Sequence, residues 1–227
     1  MIQMELIASS AGSYPRIGDG VEQQRHRQAY GQLERGDITG EEFERVQDDV
    51  TKEAIKEQVR AGLDLVTDGQ IRWYDPISHL ARTLDGCKIN GLLRFFDTNF
   101  YFRQPVVQDK LIRRSSILKR DFTFAKKLST KPVKPVLTGP YTLAKLSIDR
   151  RGVGLRSLVN DFAGIVGQEV KELAWAGADV TNRRTCDPET PGRFRDVQRS
   201  RRGGLRRERQ LTAGALHLLR RRDASVW

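Results

Sequence analysis

The sequence has no long apolar run. No stretch of its 227 residues approaches the ~18 consecutive apolar residues that a membrane-spanning helix needs. The first residues, MIQMELIASSAGSYPR, lack the basic segment and the long apolar segment of a secretion signal. These two absences predict a soluble, cytoplasmic protein with no membrane partner.

Cysteine and histidine are also scarce. Cys87 and Cys186 are the two cysteines, and neither has a second cysteine at a motif spacing. A disulfide-stabilised scaffold is therefore not expected. Of the three histidines, His26 and His79 have no partner motif, and we expect them at the surface or in packing.

Lysine is absent after residue 180, which marks a change of composition. Residues 181–227 contain 13 arginines and five acidic residues, so they carry +8 of the net charge of +11. We therefore divide the chain into a folded part, residues 1–180, and an irregular Arg-rich tail, residues 181–227, expected to be disordered. The tail leaves one alternative function open, non-specific nucleic-acid binding through phosphates. Evolved basic tails usually mix lysine with arginine, which weighs against that alternative.

Strand and helix patterns alternate along residues 5–180. Strands are predicted at 5–10, 63–69 and 132–140, a β excursion at 92–107, and one more strand from 178. The longest predicted helices are 39–61, 109–129 and 155–176, with a short one starting near 141. The alternation predicts a parallel α/β fold, specifically a partial TIM (β/α)8 barrel with about its first four strands. A doubly wound open sheet competes, but the glycine-rich phosphate loop typical of it is missing.

Five segments, in chain order, carry a resemblance to one family. They are Gly12-Ser13-Tyr14-Pro15-Arg16, residues 36–58, residues 62–70 followed by Trp73-Tyr74-Asp75, residues 131–142 (KPVKPVLTGPYT), and residues 168–179. This set resembles the cobalamin-independent methionine synthases, above all in the G-S-[FY]-P loop and the K-P-V-K-x-x-L-T-G-P-x-T segment. The Trp-Tyr-Asp run also resembles the family's non-catalytic barrel, and both barrel types stay open.

The resemblance implies methyl transfer to the sulfur of homocysteine, assisted by zinc, in methionine biosynthesis. The donor would be a methyl-folate or a methyl-corrinoid, so small molecules are the implied partners. In the family the Gly-Ser of the first loop holds the substrate's carboxylate, a role that falls here to Gly12 and Ser13. An acidic residue after the second-strand glycine usually binds the ammonium. That position is Gln70, which carries no charge, and Asp68 and Asp75 are the candidates to compensate.

The sequence also departs from the family's pattern. The family's fourth strand continues into an Asp-Glu-Pro sequence, and its zinc ligands include a His-x-Cys pair; this chain contains neither. We interpret residues from about 181 onward as a frameshifted translation, which predicts a truncated and inactive product without zinc ligands. A corrinoid methyltransferase or a uroporphyrinogen decarboxylase-like barrel remains an alternative, although the Gly-Ser-Tyr-Pro and Thr-Gly-Pro loops favour methionine synthase over the decarboxylase.

Overall fold

A computed structural model describes residues 7–14, 24–94, 101–178 and 182–183. The predicted Arg-rich tail lies outside the described residues except for 182–183, and so do residues 15 and 16 of the first loop. Within the described ranges, helices and strands follow in this order: α1 (Arg25–Arg35), α2 (Gly40–Arg60), α3 (Ser78–Ala81), β1 (Asp85–Arg94), β2 (Tyr101–Ile112), α4 (Lys119–Leu128), β3 (Val136–Leu137), α5 (Pro140–Lys145), β4 (Ile148–Asp149), α6 (Leu155–Trp175) and β5 (Asn182–Arg183).

Four short parallel segments pair with one another in chain order. Ser9 bridges Leu65, and Val66 bridges Val133, both in parallel. β3 then pairs in parallel with β5. Each segment therefore lies beside the next one along the chain, and helices fill the connections between them. This arrangement gives a mixed α/β fold.

Helix α2 forms as the sequence predicts. Thr39 caps it: its side-chain oxygen accepts from Glu42 N at 3.2 Å, and the Glu42 carboxylate accepts from Thr39 N at 2.7 Å. This reciprocal box satisfies two of the backbone donors that a helix start leaves open. The helix buries Phe43, Ala54 and Ile55. Phe43 contacts the rings of His26 and Tyr30 of α1, and Ile55 belongs to the same hydrophobic core as Val66 of the second parallel segment.

The region 109–129 corrects one prediction. A single helix was expected there, but residues up to Ile112 belong to β2, and α4 begins only at Lys119. β2 pairs antiparallel with β1 from Arg94–Tyr101 to Asp85–Ile112. Cross-strand pairing thus outweighs the helical periodicity of these residues, a tertiary effect that local pattern does not contain. The predicted β excursion at 92–107 is confirmed in its described part and extends beyond these bounds on both sides. Its residues 95–100 lie outside the described residues.

Helix α6 is the main buried helix. It contributes Leu158, Phe162 and Leu173 to the core, all at most 1% exposed. Glu169 on the same helix is fully buried, and its oxygens accept from the backbone N–H groups of Ile117 and Leu118 at 2.9 and 3.0 Å. A helix-to-helix carboxylate contact therefore fixes where α4 starts. No helix in the described part of the chain is long and apolar enough to cross a membrane.

Candidate functional site

Two loops meet at the ends of the first two parallel segments. The N–H of Tyr14 donates to the carbonyl of Gly69 at 2.9 Å. A Cβ on Gly69 would lie 2.8 Å from Cβ of Tyr14, and Gly69 has φ +70°. Only glycine tolerates this combination of a left-handed backbone and a close approach. The sequence pattern Asp-Gly-Gln thus serves to bring residues 11–14 and 68–70 into contact.

Gly12 is needed for space. It is buried with φ +143°, and a Cβ there would lie 2.9 Å from Cγ2 of Val136. Its N–H donates to Oγ of Ser10 at 3.2 Å, and its carbonyl accepts from Oγ1 of Thr67 at 3.0 Å. Because both backbone groups of Gly12 are engaged, its predicted role in binding a carboxylate would fall to its neighbour.

Ser13 is that neighbour, and it is exposed. Within the ranges that the structure describes, neither its N–H nor its hydroxyl is engaged in a hydrogen bond, in contrast to the N–H groups of Gly12 and Tyr14 on either side. Ser13 therefore offers two donors to solvent at the point where the two loops meet.

Thr67 and Gln58 hold the second segment in place. The side-chain amide of Gln58, buried on α2, donates to the carbonyl of Thr67 at 2.9 Å and accepts from its N–H at 3.0 Å. The hydroxyl of Thr67 in turn accepts from Gly69 N at 3.2 Å and donates to the carbonyl of Gly12. One buried amide thus orders the end of the strand, and one hydroxyl joins both loops. Sequence reasoning did not single out either residue.

Gln70 adopts a conformation unusual for a residue with a side chain. Its φ is +53°, and it is the only described non-glycine residue with a positive φ. Its N–H donates to Oδ1 of Asp68 at 3.1 Å, and its carbonyl accepts from Trp73 N at 3.0 Å. Its buried side chain places Oε1 3.6 Å from the position of a Cβ on Gly12. The structure therefore brings Gln70, Gly12 and Asp68 together, and their role in substrate binding stays a prediction.

Asp68 has a raised pKa. Burial raises the pKa of its carboxyl to about 6, and the nearby Asp121 adds to the effect. Asp121 of α4 is itself buried, and its Oδ1 lies 3.6 Å from Nε of Arg72. Arg72 also pairs with Asp48 of α2. Asp68 thus changes charge about one pH unit below neutrality.

Asp75 makes its hydrogen bonds elsewhere. It is 2% exposed, and its Oδ1 accepts from the N–H groups of Ile77 and Ser78 at 2.8 and 2.6 Å. Its Oδ2 accepts from the Ser78 hydroxyl at 2.5 Å and from Arg103 N at 3.1 Å. These four bonds attach the start of α3 to β2. Substrate binding by Asp75 stays a prediction, and its oxygens are already occupied by protein donors.

Lys134 is a charged residue of the site that sequence reasoning missed. It is 8% exposed, and its Nζ donates to the carbonyl of Ser10 at 2.6 Å. Burial lowers the pKa of its ammonium. Lys134 is the second lysine of the K-P-V-K segment, and the first, Lys131, is exposed. The segment itself does not indicate which of its two lysines is buried.

Two cavities lie away from these loops. One, of about 260 Å³, opens beside α1 and α2, and the other, of about 390 Å³, lies between α5 and the start of α6. The first is lined by His26, Arg27, Tyr30, Phe43, Gln47, Arg72, Trp73, Tyr74 and Arg103. None of the five predicted site residues lines either cavity. The candidate site is therefore the junction of the two loops.

Comparison with known proteins decides the family. The family described as cobalamin-independent synthase, catalytic domain, matches residues 6–182. The chain belongs to the cobalamin-independent methionine synthase family. The methionine synthase of Saccharolobus solfataricus is 34% identical over 170 residues, which are 74% of this chain and 49% of that protein. The methionine synthase of Sulfurisphaera tokodaii is 33% identical over 170 residues, 74% of this chain and 48% of that protein.

Solved structures of B12-independent methionine synthases share the fold. The protein from Shewanella sp. W3-18-1, in complex with selenomethionine, has a TM-score of 0.62 at 24% identity and covers 78% of this chain and 50% of that one. The putative enzyme from Listeria monocytogenes has a TM-score of 0.59 at 18% identity and covers 80% and 53%. The chain thus spans about half the length of the methionine synthases that it matches.

The described residues do not fit the zinc that this family implies. Across residues 7–14, 24–94, 101–178 and 182–183, no group of three or more His, Cys, Asp or Glu side chains is placed to hold a metal ion. Burial raises the pKa of the Cys87 thiol to about 11, so this cysteine is protonated at neutral pH and is a poor metal ligand.

Proposed function

We propose that this chain forms the amino-acid-binding part of a methyltransferase of methionine biosynthesis, whose substrate is homocysteine. The observation that carries the proposal is the junction of residues 11–14 with residues 68–70, held by the Tyr14–Gly69 hydrogen bond of 2.9 Å. Membership of the methionine synthase family supports the same activity. The proposal concerns the whole protein's reaction, of which this chain spans a part.

The proposed architecture is a partial TIM (β/α)8 barrel. Its support is the parallel pairing of four successive segments, Ser9 with Leu65, Val66 with Val133, and β3 with β5. In such a barrel the loops that follow the strands gather at one face, where substrates bind. The two loops of the candidate site both follow strand segments in this sense.

The residues of the junction are suited to hold an amino acid. Ser13 offers an N–H and a hydroxyl, two donors that match the oxygens of a carboxylate. Gln70 offers an amide oxygen, which accepts from an ammonium without contributing charge. We propose that these side chains orient the amino acid while its sulfur receives the methyl group. The donor, a methyl-folate or a methyl-corrinoid, stays open, because no feature of the junction distinguishes the two.

Titration calorimetry of the full chain with L-homocysteine and L-methionine tests the proposal. We expect saturable binding, weakened about tenfold by Ser13→Ala, since a hydrogen bond to a charged group is worth roughly 1.5 kcal/mol. Ser157→Ala is the matched control, because Ser157 is exposed on α6 far along the chain. The absence of binding to either amino acid would contradict the proposal, as would an equal loss in both variants.

The frameshift hypothesis for residues 181–227 gains support from the extent of the family match, which ends at residue 182. This end lies close to the start of the lysine-free part of the sequence, which follows Lys171. Translating the coding DNA in its other frames tests the hypothesis. Recovery of Asp-Glu-Pro and His-x-Cys after codon 181 is the expected result, and failure in both frames would contradict it.

A further inference from the structure

Lys134 is a buried cation that contacts no acidic side chain in the part of the chain that the structure describes. Its side chain is 8% exposed, and its single hydrogen bond within the described residues runs from Nζ to the carbonyl of Ser10, at 2.6 Å. An ammonium group has three N–H donors. Two donors and the full positive charge are therefore left unmatched by any residue that the structure describes.

Other cationic side chains with little exposure, those of Arg72 and Arg113, have acidic partners. Arg113 contacts Glu169 and Glu172, and Arg72 contacts Asp48 and Asp121. Removing a charge from water without a partner is strongly unfavourable, and burial lowers the pKa of the Lys134 ammonium accordingly. A fold that pairs its other buried cations and leaves this one unpaired points to an anion that binds from outside.

The position of Lys134 shows where that anion would bind. Its backbone N–H donates to the carbonyl of Val66 at 2.8 Å, so the residue belongs to the third parallel segment. Its side chain extends across the second segment to Ser10, at the end of the first. The hydroxyl of Ser10 accepts from Gly12 N at 3.2 Å and contacts Oγ1 of Thr67 at 3.3 Å. The Lys134 ammonium thus contacts Ser10, the residue that directly precedes the loop of residues 11–14.

We infer that Lys134 supplies the positive charge that recognises the carboxylate of an amino acid held at the Gly12–Ser13 loop. Ser13 provides directional donors, and Lys134 provides charge behind them. Since Gln70 is neutral, the site binds its ligand mainly through the carboxylate and only weakly through the ammonium. This inference rests on the proposed function and deepens it, because it names the group of the substrate that determines specificity.

The test compares ligands that differ in one group. L-methionine, L-methionine amide and 4-(methylthio)butanoic acid are titrated into the full chain by calorimetry. We expect the amide, which lacks the carboxylate, to bind at least about tenfold more weakly than L-methionine, as for loss of a charge-assisted contact. The deaminated acid should lose less than the amide. In Lys134→Met the preference for acid over amide should fall to within about twofold.

Two further variants control the result. Lys131→Met removes an exposed lysine of the same segment and should keep the full preference. Lys134→Arg retains the charge and should keep part of the preference for acid over amide. If residue 134 acted only by filling space, that preference would not depend on its charge. If Lys134→Met fails to fold, the comparison of Lys134→Arg with the wild-type chain still decides, because a lost preference in the presence of charge contradicts the inference.

The outcomes separate the two proposals. If the wild-type chain binds none of the three ligands, the proposed function fails, and this inference fails with it. If the wild-type chain binds acid and amide equally, or if Lys134→Met keeps the preference, the inference about Lys134 is wrong and the proposed function stands.

Discussion

Buried charged groups in two regions of the molecule differ in how completely the protein satisfies them. Around the β1–β2 hairpin and α4, Asp75 accepts four hydrogen bonds, and Glu169 accepts from two backbone N–H groups and Arg113. At the loop junction, Lys134 has one hydrogen-bond partner among the described residues, and the carboxyl of Asp68 accepts from the N–H of Gln70. Buried polar groups that are fully satisfied maintain structure. Those left with spare capacity, at a junction of loops, are the ones available to a ligand.

The largest expected effect on stability is at Glu169, a buried carboxylate whose hydrogen bonds are satisfied. Glu169→Ala should lower the free energy of unfolding by about 3–5 kcal/mol, because it leaves the partly buried Arg113 and two backbone N–H groups without their acceptor. Glu172→Ala is the control: Glu172 also contacts Arg113 but is 28% exposed, and its loss should cost about 1 kcal/mol or less. Urea denaturation measures both. Equal losses would show that satisfaction of the buried carboxylate is not what stabilises this region.

Asp75→Ala tests the other satisfied carboxylate. We expect a loss of about 2–4 kcal/mol, since buried backbone donors at Ser78 and Arg103 are left without an acceptor. Asp85→Ala, which removes an ion pair with an exposed Arg114, should lose about 1 kcal/mol or less. Amide hydrogen exchange at Arg103 should accelerate only in the first variant. If Asp75→Ala instead keeps its stability and loses methionine binding, the sequence prediction of a substrate role for Asp75 would be preferred.

The two sides also differ in how far the sequence predicts them. The helices α2 and α6 were predicted because capping and periodicity are local signals. Gly12 and Gln70 were assigned to the site through the family resemblance. The boundary between β2 and α4 was not, since Glu169 fixes the α4 start from 52 residues away in the chain. Lys134 was missed for the same reason: its burial depends on Ser10, 124 residues away. Contacts between distant residues leave no periodic trace in a single sequence.

The contribution of Asp68 to stability should depend on pH, because its charged form is unfavourable in the folded chain. Its pKa in the folded chain is about 6, above the ordinary 3.8, so the folded state binds its proton more tightly than the unfolded state. The contribution of Asp68 to stability therefore decreases as pH rises from about 4 to about 6, and stays low above that range. Asp68→Asn, which keeps the acceptor for Gln70 N, should stabilise the chain by about 2 kcal/mol at pH 7.5, allowing for partial exposure.

The control for Asp68 is an exposed carboxylate. Asp109→Asn, on β2, should change stability by about 0.5 kcal/mol or less at either pH. Thermal melts at pH 4 and pH 7.5 separate the cases, since the gain from Asp68→Asn should vanish at pH 4. A gain of the same size at both pH values would contradict the assignment of the raised pKa to Asp68.

The smallest effect is expected at Gln70, where strain and binding are joined in one residue. Its φ of +53° disfavours any residue with a Cβ by about 1–2 kcal/mol. Glycine costs roughly 0.4–1 kcal/mol of unfolded-chain entropy, so Gln70→Gly should stabilise the chain by about 0.5–1 kcal/mol. Gln108→Gly, in the interior of β2, should destabilise by a similar amount, because glycine weakens a strand that has ordinary backbone angles. Opposite signs of the stability change at these two glutamines, measured by urea denaturation, would show that the backbone of Gln70 is held in place against its own preference.

The same Gln70→Gly variant should bind L-methionine more weakly, because it removes the amide that faces Gly12. A residue that lowers stability while improving binding belongs with Lys134 and Asp68, the groups of the loop junction whose hydrogen-bonding capacity is left available to a ligand.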